Sequence, residues 1–136
     1  MRALDWIVRL VAAGVLLQTL FFKFTGAPES VFIFTTLGLE PWGRIGSGVA
    51  ELIASGLLLW TPTAGLGGVL TVGLMTGAIV GHLTSLGIEI QDDGGLLFGL
   101  ACLVWICGAG TAVVHGSDVP FVRAFFTRHV EPRAGV

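Results

Sequence analysis

Residues 65–86 read GLGGVLTVGLMTGAIVGHLTSL, a run without Asp, Glu, Lys or Arg that follows Thr61-Pro62-Thr63. A helix of this length covers about 30 Å, the thickness of a bilayer's hydrocarbon core. Outward from it lie three further apolar runs, at about 6–24, 43–60 and 94–115. Helix breakers separate them: Gly26-Ala27-Pro28, Glu40-Pro41, Thr61-Pro62-Thr63 and Gln91-Asp92-Asp93-Gly94. The pattern predicts an all-α fold, an integral membrane four-helix bundle with short interfacial helices. Residues 1–115 form its one domain and residues 116–136 a tail.

Composition agrees. Of 136 residues, 54% are hydrophobic and 12% charged, and the mean hydropathy is +0.89. Soluble domains carry about 25% charged residues, and a chain this short has too little interior to hide so many apolar side chains. The lipid bilayer is therefore the expected partner. A net charge of -2 leaves no basic footprint for nucleic acid. The first run follows Arg2 as a signal peptide would, but no small-residue cleavage pattern comes after it, so it reads as a spanning helix.

Basic residues set the orientation. Arg2 and Arg9 lie at the amino end and Arg123, Arg128 and Arg133 in the tail, which predicts both termini on the cytoplasmic side. Residues 30–37, after Pro28 and before Gly38, are too short to cross and predict an outer interfacial helix that could act as a lid. Residues 119–130 mix Phe121, Val122, Phe125 and Phe126 with Arg123 and Arg128, the composition of a basic amphipathic helix on the inner leaflet. Small residues at helical spacing, Gly73-Gly77-Gly81, Gly46-Ala50-Ala54 and Gly95-Gly99, read as packing seams within the bundle or in a homo-oligomer.

The polar residues inside the apolar runs carry the functional question. Arg44, Ser47, Gly48, Glu51 and Ser55 fall on one helical stripe, and Thr71, Met75, Ala78, His82, Ser85 and Glu89 on another. Gln18, Thr19, Lys23 and Thr25 occupy a wider arc of the first run. Glu51 lies about 12 Å along its helix at 1.5 Å per residue, so that Lys23, Arg44, Glu51 and His82 converge in the outer half of the bundle. Glu89, Asp92 and Asp93 form the rim above them.

An ionisable group at this depth is costly unless paired, and marks a functional site by default. Two readings of the leading residue, Glu51, stay open. Either it pairs with Lys23, Arg44 or His82 to pin helix register, or Gln18, Lys23, Arg44, Glu51 and His82 line a pocket for a lipophile.

The remaining residues have plainer readings. His82 reads as a satisfied buried histidine, Asp92 and Asp93 as caps of the last helix, and Arg9 as a snorkelling side chain. A single histidine with carboxylates predicts no metal site, and no second histidine lies at the right depth for haem. Cys102 and Cys107 stand about 140° apart on a helix, which is no dithiol site. No nucleophile, base and orienter occur together, so an enzyme acting alone is not expected.

Three local runs and one buried acid resemble a known family. LQTLFFKFTG at 17–26, GLEPWGR at 38–44, Glu51 within its apolar run, and LGIEIQDDGG at 86–95 look like the DoxX family of small four-helix membrane proteins, over about residues 5–115. Some members are the membrane subunit of a thiosulfate:quinone oxidoreductase. Others belong to membrane oxidoreductase complexes that handle thiols and oxidative stress, and a distant animal branch assists receptor assembly. The resemblance implies a membrane component that binds a quinone or other lipid, with no covalent cofactor, and leaves catalysis to a redox partner protein. The alternative is an assembly or scaffold protein in which the same cluster is structural.

Overall fold

The computed structural model describes residues 2–90 and 93–116, and the regular structure among them is helical throughout. Helix α1 spans Arg2–Thr25, α2 Pro28–Thr36, α3 Trp42–Leu59, α4 Ala64–Gly81 and α5 Leu96–Val114. A 3-10 turn at Thr61–Thr63 joins α3 to α4, and α4 continues into a π-helical turn at His82–Leu86. Asp92, expected at the rim, and residues 117–136, which hold the expected amphipathic segment, lie outside the described residues.

Local chemistry explains these boundaries. Pro28 opens α2, where its missing N–H is no loss, and Gly38 at φ +73° follows its end. Gly87 at φ +77° stops the π turn, while Gly94 and Gly95 at +68° and +84° deliver the chain into α5. These left-handed angles suit residues without a Cβ. Helix α1 starts earlier than expected because Asp5 sits in its first turn, where a carboxylate is favoured.

Among the described residues, three helical segments are long and apolar enough to cross a membrane: Arg2–Thr25, Thr61–Leu86 and Leu96–Val114. The sequence predicted four. The missing one is α3, which has the length but carries Arg44 and Glu51 and falls short in apolarity.

Helix α1 packs against α3 and α5, and α4 packs against the same two. Ala12, Leu16, Ala54, Leu58, Met75, Ala101, Val104 and Cys107 form the shared core. The seams differ from expectation. Gly46, Gly73, Gly77 and Gly99 meet nothing within 4 Å of where a Cβ would stand. Close approach occurs instead at Gly67, whose Cβ would stand 2.7 Å from the Leu58 nitrogen, and at Gly68, where it would lie 2.7 Å from the Ala112 nitrogen and the Gly108 carbonyl. Of the expected seam residues, Ala54 and Gly81 are buried in the bundle, while Gly73 and Gly77 lie on the open face of α4 and Gly67 and Gly68 on the face that meets its neighbours.

Two arginines join α1 and α3 reciprocally. Arg9 is fully buried and donates from Nε to the Leu58 carbonyl at 2.6 Å, next to the end of α3. Its Nη1 pairs with Asp5 at 3.3 Å, and its guanidinium stacks over Trp6 at 4.1 Å. Arg44 donates to the Lys23 carbonyl near the end of α1 and pairs through Nε with Glu40 at 2.9 Å. Each guanidinium satisfies a carbonyl that its helix leaves orphaned, at the end where a cation is favoured. Arg9 therefore does not snorkel: the α3 terminus and Asp5 together hold it inside. Asp5 also accepts from His115 Nε2 at 2.9 Å, tying the end of α5 to the start of α1.

Alanine should separate the two kinds of glycine. Gly68→Ala forces α4 off α5 and should cost about 1–3 kcal/mol, whereas Gly73→Ala, on an open helical face, should stabilise by about 0.5–1 kcal/mol. Thermal unfolding in mild detergent measures both, and equal shifts would contradict the packing described.

Candidate functional site

The site is assembled from helix turns that face one another. On α1, Thr19 and Lys23 are one turn apart, as are Ser47 and Glu51 on α3, so each pair shares a face. Glu51 is 3% exposed. Its Oε1 receives the Lys23 ammonium, and its Oε2 lies 3.1 Å from the Thr19 hydroxyl. That hydroxyl also lies 2.9 Å from the Leu16 carbonyl, so it serves one acceptor at a time. The Phe34 ring stands 5.7 Å from the Lys23 ammonium, close enough for its face to attract the charge. Pairing at this burial offsets a desolvation cost of several kcal/mol per ion, which is why neither group could be buried alone.

Beside the pair is a cavity of about 500 Å³, within the range of ligand pockets. Gln18, Thr19, Lys23, Ser47, Glu51 and His82 supply its polar wall, and Val15, Phe22, Leu74, Leu97 and Leu100 much of the apolar one. Helix α2 covers it with Glu29, Ser30, Ile33 and Phe34, and Leu37 just beyond its end adds to the cover. The short helix expected at 30–37 is thus present as α2 and forms part of the cavity lining.

Of the five candidate pocket residues, Gln18, Lys23, Glu51 and His82 meet on this wall. Arg44 does not: its guanidinium is turned to the α1 terminus and Glu40, as described above. Both readings of Glu51 hold geometrically, since it pairs with Lys23 and also faces the cavity. Thr19, Ser30 and Phe34 belong to the site and were not among the candidates. Thr19 was signalled by its one-turn spacing to Lys23, but the contribution of α2 depends on how that helix folds back.

The π turn accounts for another departure. It keeps His82 buried, at 5% exposure, but carries Ser85 off the expected stripe to the surface. His82 bonds through Nδ1 to the Gly87 carbonyl at 2.9 Å, and its ring meets Phe98 edge-on at 5.6 Å. Such turns are over-represented at functional sites.

At the rim, the N-cap position of α5 falls to Gly95, and Asp93, two residues earlier, supplies the capping carboxylate. Its carboxylate accepts the N–H groups of Gly95 at 2.8 Å, Ile90 at 3.0 Å and Leu97 at 3.2 Å. Glu89 is exposed and accepts from the Gly94 N–H at 3.3 Å. Desolvation pushes the Asp93 carboxyl up, but the three N–H donors, with a smaller contribution from His82, outweigh it and hold the group below its ordinary value of 3.8. No family model, curated protein or solved structure matches the chain.

Two measurements probe this geometry. Glu51→Leu strands the Lys23 ammonium and should cost about 3–5 kcal/mol, while Lys23→Met with Glu51→Leu should recover most of that loss. Unfolding of the single and double variants checks it, and an additive double variant would mean the pair is not coupled. The Asp93 cap stabilises fully above pH 3.8 and is lost as pH falls through its lower folded value. The difference in Tm between the wild type and Asp93→Ala should therefore shrink below that pH, and a constant difference would count against the cap.

Proposed function

We propose that the chain is a DoxX-like integral membrane protein whose four long helices cross the bacterial plasma membrane with both termini in the cytoplasm. Its cavity holds a quinone or similar lipophile on behalf of a redox partner protein. The observation that carries this reading is the meeting of Gln18, Lys23, Glu51 and His82 on one largely apolar cavity under α2. An apolar pocket with a few convergent polar groups is what an amphiphile with a small polar head requires.

Membrane insertion draws support from the three apolar helices and from α3 itself. Trp42 and Trp60 bracket that helix and are 79% and 65% exposed, as in the aromatic belts of spanning helices. Its 18 residues cover about 27 Å, and its buried Glu51 is paired with Lys23, so its polar cost is offset internally. With the termini inside, the cavity lies in the outer half of the membrane, and α2 is its outer cover.

A scaffold role is the second reading, favoured by one feature: Glu51 has both oxygens engaged by the protein without any ligand. Extraction of the protein purified in mild detergent, followed by mass spectrometry, decides between the two. On the leading reading a stoichiometric quinone or other lipophile co-purifies. It is reduced at least several-fold in Glu51→Gln and in the coupled Lys23→Met, Glu51→Leu variant, while the coupled variant stays folded. A wild type that carries nothing, with variants altered only in Tm, would establish the scaffold role instead.

A further inference from the structure

The π turn that ends α4 presents the His82 ring to the cavity with one nitrogen already committed. Nδ1 lies 2.9 Å from the Gly87 carbonyl oxygen, an atom that only accepts, so Nδ1 carries the proton. In the neutral ring Nε2 is then a bare lone pair. Nε2 has no partner among the described residues, and no fully sealed side-chain nitrogen or oxygen among them lacks one. Nε2 therefore keeps some exposed surface, and His82, 95% buried as a residue, lines the cavity.

Four of the polar groups on the cavity wall are already engaged, while Gln18, Glu29 and Ser30, which also line it, make no side-chain hydrogen bond among the described residues. Lys23 and Glu51 hold each other, Thr19 bonds to Glu51 or to the Leu16 carbonyl, and the Ser47 hydroxyl bonds to the Arg44 carbonyl at 3.1 Å. A head group that fills the cavity removes water from Nε2 and must replace the lost hydrogen bond. A hydroxyl does so. A carbonyl or ether oxygen sets one lone pair against another and leaves a buried acceptor unsatisfied.

We infer that the cavity selects lipophiles whose head group donates a hydroxyl hydrogen to Nε2 of His82, over heads of the same shape that place a carbonyl or ether oxygen there. In a quinone series the preference falls on the reduced, dihydroxy form. This inference rests on the reading of the cavity as a lipophile site.

The test uses the full chain in lipid nanodiscs with para-decylphenol and its methyl ether, para-decylanisole, which share ring and chain and differ in the donor. Binding is measured against empty nanodiscs to subtract partitioning into lipid. The phenol should bind about tenfold more tightly, as one desolvated hydrogen bond allows. The ratio should fall to about one in His82→Asn, whose amide can keep the bond to the Gly87 carbonyl but reaches no further. His82→Gln, with an amide oxygen near the place of Nε2, should retain the preference, and unfolding curves establish that the variants are folded.

Equal binding of the two probes by the wild type would overturn the selectivity while leaving the lipophile site standing. Binding of neither probe above the empty nanodiscs would overturn both. A phenol preference that survives in His82→Asn would move the acceptor to another group and overturn the role given to His82.

Discussion

The reciprocal hold of Arg9 on the end of α3 and of Arg44 on the end of α1 is the constraint on which the rest depends. A helix terminus leaves carbonyls without partners, and burying one unsatisfied costs about 1–3 kcal/mol. Here each of two neighbouring helices answers that need for the other, at opposite ends of their contact. Each arginine is in turn steadied by an acid one turn earlier, Asp5 or Glu40. With both ends held, the register of α1 against α3 has little freedom, and Lys23 is brought opposite Glu51 rather than one turn away. The cavity wall inherits its geometry from that register.

Held in this way, the Lys23–Glu51 pair is both a structural element and the charged part of the cavity wall. The pair needs no ligand to be stable, which lets the cavity be built before anything occupies it. On the proposed reading, specificity falls to groups that the scaffold leaves uncommitted, among them His82, because the π turn fixes one nitrogen and leaves the other. Rigidity on the α1 and α3 side contrasts with the cover. Helix α2 has only nine residues and is flanked by Gly26 and Gly38, both in left-handed conformations.

Much of this was legible in the sequence because it depends on quantities that do not vary. The helical rise is constant, so depth along a run placed Lys23, Glu51 and His82 together, and local breakers placed the helix ends within a few residues. Packing addresses were less legible. Gly67 and Gly68 were passed over for Gly73 and Gly77 because all four lie on one helix, and only the tertiary arrangement decides which face meets α5. Arg44 was assigned to the pocket by periodicity, which reports the face of a helix but not which partner wins a long side chain. Arg9 was read as snorkelling for the same reason, since the competing Leu58 carbonyl is 49 residues away in the chain. Ser85 was misplaced because an ideal period cannot anticipate a π turn.

The clamps and the central ion pair also share a place in the order of synthesis. Asp5, Arg9, Lys23, Glu40, Arg44, Glu51, Leu58 and Thr61 all belong to the first 61 residues, and every strong charge among them finds its partner within that segment. A chain emerging from the ribosome amino end first can therefore neutralise its costly groups before α4 exists. The later helices, with no Asp, Glu, Lys or Arg between Ala64 and Leu86 or between Leu96 and Val114, arrive as nearly pure hydrocarbon against a half already settled. The Arg9–Asp5, Arg44–Glu40 and Lys23–Glu51 pairs thus form without any contribution from the carboxyl-terminal half.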